Sequence, residues 1–187
     1  MDPTRCAERT KKLRIEPVDA SLLRFFASLE DISHDGAGVE VIHSLAIEGT
    51  ISLPDLVIRS IEPRAHYQPF RECGKSLDPV RGLVGVRIGP GFRAHVRGTL
   101  GRTQGCTHFL SLVLDLAASH TLSLFLRMRA RVPFEGRNGP DGAWIGTGLA
   151  IEPLLENACI AFTSDSPVIA KARHYLGREK NKGTDCG

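Results

Sequence analysis

Three β-rich runs follow one another between Leu22 and Ala65, and from Pro69 onward the pattern turns helical. The runs cover residues 22–29, 39–51 and 56–61, separated by Asp35-Gly36-Ala37-Gly38 and by Ser52-Leu53-Pro54-Asp55. Turn residues between apolar alternations predict a meander of antiparallel strands. In the last run Leu56, Ile58 and Ser60 alternate with Val57, Arg59 and Ile61, so one face is more buried than the other. Strands gathered ahead of helices predict an α+β fold: an antiparallel sheet of three or more strands with helices packed on one face.

The helical half starts after Cys73, where Leu77, Val80, Leu83 and Val84 suit a short helix ended by Gly85. Beyond the turn Gly89-Pro90-Gly91, residues 92–101 predict an amphipathic helix carrying Arg93 and Arg97, with Arg102 just past it. After Gly105 comes the most apolar stretch, Phe109, Leu110, Leu112, Val113, Leu114, Leu116, Ala117 and Ala118. An apolar surface over most of a helix belongs in a core. Residues 133–148 hold seven glycines and prolines and read as a loop, and residues 154–162 with Val168-Ile169 read as a final β-like segment returning to the sheet. The expected organisation is a loose arm over 1–19, one domain over 20–176 and a disordered tail over 177–187.

The 24 basic and 21 acidic residues give a formal charge of +3. That balance argues against a nucleic-acid partner, which needs basic residues gathered on one face. The apolar run at 109–118 is interrupted by Ser111 and Asp115, and residues 1–5 show no hydrophobic signal segment. The expectation is a cytoplasmic protein with no membrane partner. No partner is specified, and a homodimer stays open. No G-x-G-x-x-G or Walker spacing occurs, so no nucleotide cofactor is expected.

Chemistry concentrates at Gly105-Cys106-Thr107-His108, two soft side chains at the mouth of the apolar helix. The positive end of a helix favours a thiolate, which serves both metal ligation and nucleophilic attack. Cys106 is the candidate nucleophile. On regular helical geometry, however, it stands about 200° around the axis from His108, which predicts that the two do not pair alone. The five cysteines, at 6, 73, 106, 159 and 186, contain no C-x-x-C, so a metal site must be assembled from ligands far apart in sequence. His43 interrupts a strand of Val39, Val41, Ile42, Leu45 and Ile47, and a polar ring there needs a partner. The structural alternative is a set of buried thiols and a hydrogen-bonded imidazole with no chemistry. Cys106 with His43 or His108 and Asp115 could formally make a Cys–His–acid set, but nothing in the sequence positions the acid. Glu30 and Asp31 point to opposite faces of a strand and make no dyad.

The order of these segments resembles a known family. Leu83-Val84-Gly85-Val86-Arg87-Ile88-Gly89-Pro90-Gly91-Phe92, then Leu100-Gly101-Arg102-Thr103-Gln104-Gly105-Cys106-Thr107-His108-Phe109-Leu110, is similar to the bacterial domain-of-unknown-function family 2889 (DUF2889), whose hallmark is a Gly-Cys-Thr-His-Leu segment opening a helix. Asn157-Ala158-Cys159-Ile160-Ala161-Phe162 looks like that family's cysteine-containing tail, and the resemblance covers roughly residues 20–170. The resemblance implies no particular activity. A second similarity, of pattern only, is to NifU/IscU-like iron–sulfur scaffold and sulfur-transfer proteins, with Ser44 where that pattern has an aspartate. It implies a NifU/IscU-like arrangement in which His43, Cys73 and Cys106 are ligands, with His108, Cys159 or water as the fourth. Such mixed ligands suit zinc first and iron next. Three functions follow as expectations: a metal-binding protein of uncharacterised activity, with iron–sulfur cluster or sulfur handling through a His/Cys site; a thiol- or metal-dependent hydrolase or lyase acting on a small organic substrate, with Cys106 central; or a non-catalytic interaction module without metal.

Overall fold

Four strands, β1 (Cys6–Pro17), β2 (Leu22–Asp35), β3 (Gly38–Ser52) and β4 (Ile58–Tyr67), pair antiparallel in the order β1-β2-β3-β4. The computed structural model describes residues 5–133, 139 and 141–184. The chain divides into two units, one ending at His120 and one beginning at Thr121.

The α+β sheet forms as the alternation predicts, but it gains a strand at its start. Residues 6–17, expected within a loose arm, form β1 and pair with β2 along their whole length, from Cys6 opposite His34 to Pro17 opposite Leu23. Few apolar residues mark this strand, and of these Ile15 is buried. Charged anchors hold it instead: Arg9 on Asp31, and the Lys11 ammonium 2.6 Å from Asp115 and 3.1 Å from the Ser111 hydroxyl. Charge pairing of this kind leaves no hydrophobic period to read.

Period-2 geometry sorts β2 cleanly: Leu23, Phe25, Ala27, Leu29 and Asp31 are buried on the inner face. Opposite them on β3 stand Ile51, Gly49, Ile47, Leu45 and His43. The Phe25 ring lies over Gly49. A Cβ at that position would come within 2.8 Å of the ring and 2.0 Å of the Ser60 carbonyl oxygen, so glycine is what lets the strands and ring close together.

Helices cover the inner face in the same unit. A 3₁₀ turn, Arg71–Ser76, leads into α1 (Leu77–Arg81), which packs on β4. Next come α2 (Phe92–Leu100) and α3 (Thr107–Asp115); α3 packs on α2, β2 and β3. On α3, Phe109, Leu112 and Val113, with Leu116 just beyond, are completely buried at a spacing of three, one and three. Each such side chain stabilises the fold by roughly 1.5–3 kcal/mol. The helical stretch Thr107–Arg129, of mean hydropathy 1.7, is long and apolar enough to cross a membrane by length and composition. Burial of those four side chains against the core gives the α3 portion a different reason to be apolar.

Helix α4 (Ser119–Arg129) runs across the boundary into the second unit, which also contains α5 (Ala143–Ile151) and α6 (Pro167–Thr184). Here the sequence expectations need correction. Residues 143–148 are not loop but the first part of α5; residues 134–138 and 140 lie outside the described residues. The β-like segment at 154–162 is two 3₁₀ turns, Pro153–Leu155 and Ile160–Phe162, and Val168-Ile169 opens α6. Asn157, at φ 63°, reverses the chain between the turns, and its side chain receives the Ser164 N–H at 3.0 Å. Residues 177–184, expected as disordered tail, continue α6. Leu149, Ile169 and Ala172 form the core of this unit.

Candidate functional site

Arg9, Asp31 and His43 stand directly opposite one another on β1, β2 and β3, forming one transverse row at the end of the apolar inner face. Asp31 is 7% exposed. Arg9 holds it with a two-pronged contact, Nε donating to Oδ1 at 2.6 Å and Nη2 to Oδ2 at 2.8 Å. His43 Nδ1 lies 3.0 Å from Oδ2. A β-bulge follows at once, the pairing shifting between Asp31 and Ile32, which closes the regular row beside the site.

The fourth group descends from the helix layer. His108, in the first turn of α3, places Nε2 3.4 Å from Asp31 Oδ2, and its ring centroid is 3.8 Å from that of His43. Asp31, His43 and His108 each present a ligand atom within 4.8 Å of the others. Among the described residues this is the more buried of two such groups. The other nitrogen of the same ring, His108 Nδ1, is 3.3 Å from Cys106 Sγ. That contact corrects the expectation, drawn from regular helical geometry, that Cys106 and His108 point apart and make a poor direct pair. Cys106 is the residue before the helix, with φ −111° and ψ 132°, so the helical angle between positions does not apply to it.

The electrostatics follow from these contacts. The Arg9 hydrogen bonds, outweighing burial, hold the Asp31 carboxyl below its usual range, with the Arg9 charge and the His43 contact adding to the effect. Burial pushes His108 below its ordinary value, and the neighbouring His43 and Arg9 push the same way, partly opposed by Asp31. The result is an ionised carboxylate beside an imidazole that is neutral at neutral pH, the state required of a metal ligand or a general base.

A cavity of about 480 Å³ opens beside this cluster, lined by His43, Cys106 and His108 together with Gln68, Phe70 and Cys73. The Gln68 Nε2 is buried there without a hydrogen-bond partner. Of the five residues expected as ligands, His43, Cys106 and His108 are therefore brought together. Cys73 shares the cavity wall from the 3₁₀ turn before α1, outside the converging Asp31, His43 and His108 atoms. Cys159 is exposed at the start of a 3₁₀ turn in the second unit. The four described cysteines are all free thiols.

Asp31 and Arg9 were not anticipated. The signal for Asp31 was its place in the alternation Leu23, Phe25, Ala27, Leu29, Asp31, which carries an acid onto the buried face, where it must find a partner. Arg9 had no comparable signal, because its strand could not be read.

Over residues 8–121 the chain matches the family described as "Protein of unknown function (DUF2889)". No curated protein and no solved structure matched, so the NifU/IscU-like likeness rests on sequence pattern alone. The chain belongs to the DUF2889 family.

Proposed function

We propose that this DUF2889 protein binds a divalent transition metal through Asp31, His43 and His108. The observation that carries the reading is the spacing of the ligand atoms. For metal–ligand bonds of about 2.0–2.1 Å, the edges of a tetrahedron are about 3.3 Å. The distances from Asp31 Oδ2 to His43 Nδ1 and to His108 Nε2 are 3.0 and 3.4 Å. The longer one is poor for a hydrogen bond and suitable for two ligands flanking an ion. Arg9 then serves as the outer partner that orients the carboxylate.

Two imidazoles and a carboxylate suit zinc first and iron(II) next. Three protein ligands leave a position open toward the cavity, which is the arrangement of a catalytic rather than a structural site. Iron–sulfur handling fits this ligand set less well, since clusters are held mainly by thiolates. Metal content of untagged protein, compared with His43→Ala and His108→Ala variants, tests the proposal. Stoichiometric zinc or iron lost in both variants is the expected result. Folded wild-type protein that carries no metal and takes up neither zinc nor iron(II) overturns it.

A second reading rests on the 3.3 Å contact between Cys106 Sγ and His108 Nδ1. Cys106, His108 and Asp31 make a nucleophile, base and acid in a row, with Cys106 and His108 lining the cavity, which is the arrangement of thiol hydrolases and acyl-transfer enzymes. The thiol would pass its proton to His108 Nδ1 while Nε2–H faces the Asp31 carboxylate 3.4 Å away, a contact held by charge more than by hydrogen bonding. A metal on Nε2 excludes that arrangement, so the two readings compete for one nitrogen. Under the thiol reading, metal-free protein alkylates fastest at Cys106, and His108→Ala slows that site by at least about tenfold. Mass-spectrometric mapping checks this, and a Cys106 rate no greater than that of exposed Cys159 removes the reading.

A further inference from the structure

The opposite face of the sheet carries the second convergence of ligand atoms. Cys6 lies directly across from His34 in the β1–β2 register, and Glu8 is two residues along the same strand, so all three side chains emerge on the face away from α3. Their ligand atoms lie within 4.8 Å of one another. The Glu8 carboxylate is 3.8 Å from His34 Nε2, beyond hydrogen-bond distance. Although the His34 ring is partly exposed, Nε2 itself is shielded from water and has no hydrogen-bond partner. A buried ring nitrogen without a partner is costly unless something occupies its lone pair or takes its proton.

We infer that Cys6, Glu8 and His34 form a second cation site, suited to zinc or a similarly thiophilic divalent ion, that clamps the start of β1 to β2. The donor set is chemically distinct from the one around Asp31. Here a thiolate and a carboxylate together neutralise a divalent ion, with imidazole and water completing a tetrahedron. Around Asp31 the single carboxylate is already shared with Arg9.

The position gives the site a consequence for the rest of the fold. Among the described residues β1 is the sheet's edge strand, paired with β2 alone. Its pairing at Cys6–His34 is three residues from its pairing at Arg9–Asp31. An ion held at the corner therefore restrains the segment that carries Arg9 to Asp31. Metal supply would then act on the inner cluster from the other face of the sheet.

Cobalt(II) added to the full chain is the direct probe, because thiolate ligation produces an intense near-ultraviolet charge-transfer band that imidazole and carboxylate ligands do not. The band is expected in wild type, in Asp31→Asn and in Cys106→Ser, and it is expected to disappear in Cys6→Ser and weaken at least severalfold in His34→Ala. A band that survives Cys6→Ser, or no band in any variant, overturns the site, whatever the fate of the Asp31 cluster. Zinc is also expected to raise hydrogen-exchange protection of the β1 amides in wild type and not in Cys6→Ser. Equal protection in both would overturn the clamp.

Discussion

Asparagine at position 31 is expected to abolish metal uptake by the inner cluster, with an affinity loss above about 100-fold, since even outer partners of a metal site are worth about 10–100-fold. Calorimetric titration with zinc, in a Cys6→Ser background that removes the proposed corner site, measures it. Asp31 is the hub: Arg9, His43 and His108 all meet its Oδ2. Asparagine keeps the volume but removes the charge and sets an amide where a carboxylate accepted. The fold should survive, at a cost of about 1–3 kcal/mol. The lower part of that range is expected, because the Arg9 side chain is 46% exposed and water can take over its hydrogen bonds.

The pH dependence has a definite sign. The folded chain holds the Asp31 carboxyl below its ordinary value of 3.8, so folding favours the ionised form. The associated stabilisation is complete above that value and drains away as the pH falls through the lower folded one. The stability difference between wild type and Asp31→Asn should therefore shrink between about pH 6 and about pH 2. Denaturant unfolding at both ends measures it. A difference that does not change with pH would mean that the Arg9–Asp31 contact contributes nothing through charge.

Alanine in place of Phe109 is expected to be the most destabilising single change in the first unit, at about 3–5 kcal/mol. Phe109 is completely buried and, with Phe25, among the largest fully buried side chains. Against a total stability of about 5–15 kcal/mol for a typical domain, such a loss is severe. Phe109 is also the neighbour of His108 in the first turn of α3, so relaxation around the cavity should displace the imidazole and weaken metal binding. Leu116→Ala removes a side chain just beyond the far end of that helix and should cost about 2–5 kcal/mol while leaving metal affinity intact. Equal effects of the two changes on metal binding would show that the start of α3 does not set the position of His108.

The sheet was legible where strands bury one face, because alternating apolar residues announce themselves. β2 and β3 are of that kind, and so are the buried stripes of α2 and α3. β1 was invisible because Arg9, Lys11 and Lys12 dominate it, and its docking depends on partners far away in sequence. In the second unit, an apolar composition without clear period misled. Residues 154–162 are apolar enough for a strand, yet Asn157 and Ser164 lock them into turns. Val168-Ile169, read as β-like, instead follow Pro167 at the start of α6, where the Ser166 hydroxyl accepts the Ile169 N–H at 3.2 Å. At the site, residue type found His43, Cys106 and His108. Their geometry depended on an extended backbone at Cys106, which helical periodicity cannot supply.

The transverse row has a mechanical meaning as well. Three of the inner cluster's polar groups hang from adjacent strands, so their spacing is set by the sheet's own repeat of about 4.8 Å rather than by any loop. Only His108 is carried by a separate element, and α3 is positioned by Gly105, where a Cβ would strike the Leu100 carbonyl oxygen at 2.9 Å. The cluster thus combines three groups set by one sheet with one group set by a helix. On the proposed metal reading, the ion radius the cluster accepts would be set by where the turn at Gly105 and Cys106 places His108, with the strands as the fixed ruler against which that placement is measured.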